Sequence, residues 1–262
     1  MYNSRSDPSA YGDKYPKERI VQQSFYRKGV KTFGKAFIGC PNHFGSDECD
    51  NLNEFIKSQL GYDTTLDDTL RQVELLNLEY LSGYSIWYYF GHGVENRDTG
   101  DFIALGMATI RADRYYSLTH PDSNPNHIRS RYRDTSYVFA DEIEGVMPAD
   151  ESIEFVFING CVSGESGAID FKNAFNADVY LGWEKQPGGN NVRWGTASKY
   201  AIEFFNYTNQ INNDPAYGDV NKNISVYYAS SKAASSIVGD HPYPIFVECE
   251  DKAKKLRIDL TK

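Results

Sequence analysis

Two runs of one design constrain this chain more than any other feature. Ser85–Gly93 reads Ser-Ile-Trp-Tyr-Tyr-Phe-Gly-His-Gly, an apolar stretch that stops at a histidine between two glycines. Ile153–Gly164 reads Ile-Glu-Phe-Val-Phe-Ile-Asn-Gly-Cys-Val-Ser-Gly and stops at a cysteine. Short apolar runs bounded by glycine and rich in aromatic and β-branched residues read as strands buried on both faces. Each strand then delivers one reactive side chain, His92 or Cys161, at its C-terminal end.

The surrounding pattern places these strands in an α/β fold. Lys31–Gly39 reads as a first buried strand, and the turn-rich stretch 40–50 as a loop. Leu52, Phe55, Ile56 and Leu60 recur at helical spacing until Gly61, Tyr62–Leu66 reads as a short strand, and Leu70–Leu81 as one amphipathic helix. Strand, helix, strand, helix, strand implies parallel strands joined by right-handed crossovers, with functional groups outside their carboxyl ends. Asn96–Arg133 reads as a polar, exposed insertion with a short extended piece at Phe102–Leu105. Beyond it we expect helices at Ala140–Val146, Ala197–Asn206 and Ile224–Ile237, a strand at Asp178–Trp183, and strand-like pieces at Ile245–Glu250 and Leu256–Leu260. The expected organisation is an N-terminal arm over residues 1–30 and one domain over 31–262, with the polar insertion at about 96–135.

Composition narrows the function. A formal net charge of −9 argues against nucleic acid as a partner, since phosphate binding needs concentrated Lys and Arg. No apolar run approaches the ~20 residues of a membrane span, and residues 1–17 contain no signal-peptide core. No membrane partner and a cytoplasmic location are therefore expected. Cys40, Cys49, Cys161 and Cys249 are too few for a disulfide scaffold in a chain of 262 residues. Cys40, His43 and Cys49 offer three zinc ligands in one loop, but the fourth is absent, so no metal is expected there. His120 and His127 read as solvated. Arg111, Arg114, Arg129, Arg131 and Arg133 read as an exposed basic face, with a self-cleavage segment as the alternative.

Cysteine and histidine at neighbouring strand ends suit nucleophilic acyl transfer. A thiol with its ordinary pKa near ~8.5 needs a base, and an imidazole within reach supplies one. The flanking glycines admit substrate backbone, and the N–H groups of Gly93 and Cys161 are natural oxyanion donors.

Apolar strand then Gly-His-Gly, followed by apolar strand then Cys-x-Ser-Gly, resembles the caspase-like cysteine peptidases. The metacaspases are the nearest likeness, with the clostripain, gingipain, separase and CHAT branches close behind. The likeness runs from Lys31 to about Ala234. It implies a three-layer αβα sandwich with a mostly parallel sheet of about six strands. It also implies a cysteine endopeptidase that uses the dyad His92 and Cys161, an oxyanion hole including Gly93, and a protein or peptide substrate cut after Arg or Lys. No cofactor is implied, and the calcium activation of many metacaspases does not carry over, because Asp98 and Asp101 lack a dense ligand pattern. Where metacaspases have Asp two positions before the cysteine, this chain has Asn159. Glu184, after a Trp, and Asp50, in the first loop, are the candidate acidic groups of the S1 pocket. The alternative is a catalytically silent caspase-like module that binds a regulatory partner or a larger assembly.

Overall fold

The runs that read as doubly buried strands lie in one sheet. The computed structural model describes residues 34–41, 46–96, 98–107, 128–129, 136–185, 192–237 and 244–258. The chain divides into Met1–Lys31, which lies outside the described residues, and Thr32–Lys262. Strands β1 (Lys35–Gly39), β2 (Asp63–Asp67), β3 (Ile86–Phe90), β8 (Ile153–Asn159), β9 (Ala177–Trp183) and β10 (Pro244–Phe246) form a sheet ordered β2-β1-β3-β8-β9-β10. All neighbours are parallel except β10, which runs antiparallel to β9. All five residues of β3 are buried, and all but Glu154 of β8, because helices cover both faces.

One covering layer contains α1 (Ser46–Ser58), α6 (Trp194–Thr208) and α7 (Val226–Ser236). Their apolar positions recur at three and four residues: Leu52 and Ile56 in α1, and Ala197, Tyr200, Ala201, Phe204 and Phe205 in α6, join Ile38, Tyr88, Phe157 and Trp183 of the sheet in one cluster. The other layer contains α2 (Gln72–Leu75), α3 (Leu78–Leu81), α4 (Ala140–Glu144) and α5 (Ala168–Ala174). Its core centres on Phe37, Trp87, Val156 and Phe171. A last short helix, α8 (Glu250–Ala253), follows β10.

The structure departs from the sequence reading in five places, the first being that α1 begins at Ser46, so Asp50 stands on a helix and not in the loop expected over 40–50. Leu70–Leu81 is two short helices, broken at Leu76 and Asn77, of which Asn77 has extended backbone. Leu75 and Leu81 would stand about 120° apart on one continuous helix at 100° per residue; the break lets both be fully buried. Part of the insertion is ordered sheet. β4 (His92–Asn96), β5 (Phe102–Met107), β6 (Ile128–Arg129) and β7 (Ser136–Val138) form a second, antiparallel sheet ordered β6-β4-β5-β7. His92 therefore opens a strand rather than a loop. Cys40 and Cys49 are joined in a disulfide, so two of the three zinc-ligand candidates bond to each other. Finally, α5 and α8 had no sequence counterpart, and Leu256–Ile258 has no regular structure. His43, His120, His127, Arg111, Arg114, Arg131 and Arg133 lie outside the described residues, as does the side chain of Arg129.

Candidate functional site

The register of the central sheet brings the ends of the strands that lead to His92 and Cys161 side by side. β3 and β8 pair in parallel with Phe90 opposite Asn159. Two residues further along each chain stand His92 and Cys161. Glycine is required where the two turns meet. A Cβ on Gly93 would lie 1.7 Å from the Cys161 carbonyl oxygen, and one on Gly160 would lie 2.9 Å from the Gly93 nitrogen and 3.0 Å from the Gly91 oxygen. The backbone carrying His92 is thus laid directly on the backbone carrying Cys161. Val162, the next residue, has φ +57°, a left-handed conformation that costs a β-branched residue of order 1–2 kcal/mol. It is buried, and this tight turn leaves the Cys161 side chain partly exposed.

The second thiol is unsuited to chemistry. Cys249 is buried against the main chain of Tyr180, and burial pushes its pKa up. Cys161 Sγ approaches the Val192 carbonyl at 3.9 Å, at the entry to α6. The hydroxyl of Tyr89 reaches the carbonyl oxygens of His92 and of its cross-strand partner Gly106, pinning the start of β4. Burial holds that phenol well above its ordinary pKa, so it remains a donor.

Burial lowers the pKa of His92 from 6.5 to about 4. The imidazole is therefore neutral at pH 7 and able to accept a thiol proton. We expect the rate of Cys161 alkylation or peptide hydrolysis to fall on the acid side near pH 4 rather than near 6.5, measured from pH 3.5 to 8. The stability effect has the same sign. Between about 6.5 and 4 the unfolded chain binds the His92 proton and the folded one does not, so this contribution to stability is present above 6.5 and lost as pH falls through that window.

Asn159 is committed to the core. It is 1% exposed. Its amide donates to Tyr88 Oη at 2.9 Å and to the Ala197 carbonyl at 3.0 Å, while its oxygen accepts from Trp183 Nε1 at 2.7 Å. Glu184 lies part-exposed at the end of β9, and its carboxyl is pushed up first by burial and then by the charge of Glu165. Asp50 sits exposed on the outer face of α1. Two acidic residues near the strand ends escaped the sequence reading. Glu48 acts electrostatically on Tyr88, and its phase with Leu52 and Ile56 on α1 could have revealed it. Glu165 comes four residues after Cys161. Among the described residues no group of three or more His, Cys, Asp or Glu is arranged to hold a metal, and no helix is long and apolar enough to cross a membrane.

No protein-family model matches the chain, and no curated protein does. Among solved structures it is similar to the Saccharomyces cerevisiae separase–securin complex. The identity is 15% and the TM-score 0.43, over 86% of this chain and 13% of that one. At that score the likeness assigns neither family nor activity.

Proposed function

We propose that the chain is a cysteine endopeptidase that cuts peptide bonds after Arg or Lys through Cys161 and His92. The observation that carries this reading is the register of β3 against β8, with Gly93 packed on the Cys161 main chain. In the proposed reaction the Cys161 proton passes to the neutral imidazole of His92 as sulfur attacks the substrate carbonyl. The N–H groups of Gly93 and Cys161 receive the developing oxyanion. The imidazolium returns its proton to the departing amine as the C–N bond breaks, leaving a thioester. Water, deprotonated by His92, then hydrolyses the thioester, and the thiol is regenerated. No cofactor enters these steps.

The preference for a basic residue rests on Glu184, with Glu165 beside it. Asp50 is the weaker candidate, being on the solvent face of its helix. An acyloxymethyl ketone peptide with Arg before the reactive group is expected to label Cys161 covalently, and Cys161→Ala is expected to abolish the labelling, both read by intact mass. Failure to label with Arg, Lys or any other residue at that position would point instead to a silent binding module.

A further inference from the structure

The segment after Cys161 is fastened to the end of β9. Gly164 N–H donates to the Trp183 carbonyl at 2.9 Å, Trp183 N–H to Ser163 Oγ at 3.1 Å, and Lys185 N–H to Glu165 Oε1 at 2.6 Å. From the same Lys185 the side chain runs the other way, into the β4–β5 hairpin that begins at His92. Its ammonium pairs with Glu95 on β4 and donates to the Gly100 carbonyl in the hairpin turn at 3.3 Å. Glu95 stands two residues after Gly93 on β4, just past a shift in register against β5 between Val94 and Glu95. Its side chain is 6% exposed, and that of Lys185 is 21% exposed. A carboxylate so nearly removed from water is costly unless a cation accompanies it. The far side of the hairpin has its own tie to the cysteine segment, Phe102 N–H to the Ser166 carbonyl at 2.8 Å.

We propose that Lys185 is a positioning residue. Its main chain grips the Cys161 segment through Glu165, while its ammonium grips the His92 hairpin through Glu95 and Gly100, holding the two halves of the dyad in alignment. The proposal rests on the reading of Cys161 and His92 as a reactive pair. It also places the clamp next to Glu184, so the wall offered to a basic substrate side chain and the alignment of the dyad depend on consecutive residues.

The test compares Lys185→Met, Lys185→Arg and the double variant Lys185→Met with Glu95→Gln, which removes both charges and keeps the fold measurable if the single change unfolds it. Thermal melts establish that the variants are folded. In the double variant kcat on an Arg-containing peptide is expected to fall by about 10²-fold with KM little changed, as a small misalignment of reacting groups does. Lys185→Arg, which keeps a cation for Glu95, is expected to retain most of kcat. A folded double variant with wild-type kcat would overturn the clamp. Iodoacetamide separates the two readings, because it reports on the Cys161 thiol without any substrate side chain. If the wild type reacts with iodoacetamide but cuts no peptide, the peptidase reading falls and the clamp is judged by alkylation: a severalfold slower reaction in the double variant supports it, and an equal rate overturns it.

Discussion

Gly93→Ala is expected to abolish covalent labelling of Cys161 and to destabilise the protein by about 3 kcal/mol or more, at the upper end of what overpacking costs. The added methyl would meet the Cys161 carbonyl oxygen at 1.7 Å and its carbonyl carbon at 2.8 Å. Both belong to main chain, so no side-chain rotation makes room. Relief requires the first turn of β4 to lift away from the end of β8, which takes His92 with it. The loss of labelling should therefore exceed what the loss of folded protein explains. Melting temperature and labelling rate, measured below the variant's transition, separate the two effects. Gly195→Ala is the control: nothing lies within 4 Å of a Cβ there, so labelling should be unchanged and the melting temperature should hold or rise slightly, as helical Gly→Ala changes do.

Asn159→Asp is expected to cost about 1–3 kcal/mol at neutral pH, the usual penalty for leaving a buried hydrogen-bonding group unsatisfied. The Trp183 indole can still donate to a carboxylate. At the Ala197 carbonyl a carboxylate oxygen would face another acceptor, both desolvated, where the amide had donated at 3.0 Å. Protonation restores a donor, so the folded state should raise the pKa of the new carboxyl. A carboxyl whose folded pKa is raised loses stability as pH rises through the interval between its unfolded and folded values. The gap in melting temperature between wild type and variant should therefore narrow as pH falls toward 4. Comparing the two proteins at each pH removes the His92 contribution, which acts in the opposite direction in both. Asn159 is therefore a core residue tying β3, β8, β9 and α6 together, a role that requires an amide able both to donate and to accept.

The doubly buried strands were legible because burial on both faces removes polar residues from the sequence: Ile-Trp-Tyr-Tyr-Phe and Phe-Val-Phe-Ile admit few other readings. Their glycines marked the turns for the same reason that they appear in the structure, close approach of main chain. The antiparallel sheet was hidden. His-Gly-Val-Glu-Asn reads as loop because Gly93 is dictated by contact with Cys161, and Glu95 is buried only with the help of Lys185, ninety residues further along in sequence. Periodicity sees neither cause. Helix α5 is seven residues long and begins after Gly167 at φ +90°, too short to display a period. The continuous leucine pattern of 70–81 misled for the opposite reason, since a broken helix buries those leucines better than an intact one.

The disulfide has a practical side. A cysteine nucleophile must be kept reduced, yet Cys40 and Cys49 are bonded at the same edge of the sheet, and Pro41 packs on Gly91, one residue before His92. The pair is 0% and 1% exposed, so a reductant has little access to it while the fold is closed. Reducing agent mild enough to maintain Cys161 in the native protein would thus be expected to spare this bond, and the same agent added during refolding would not. How the protein is prepared, and in which redox environment a cell makes it, then decides whether the wall beside the histidine is covalently tied.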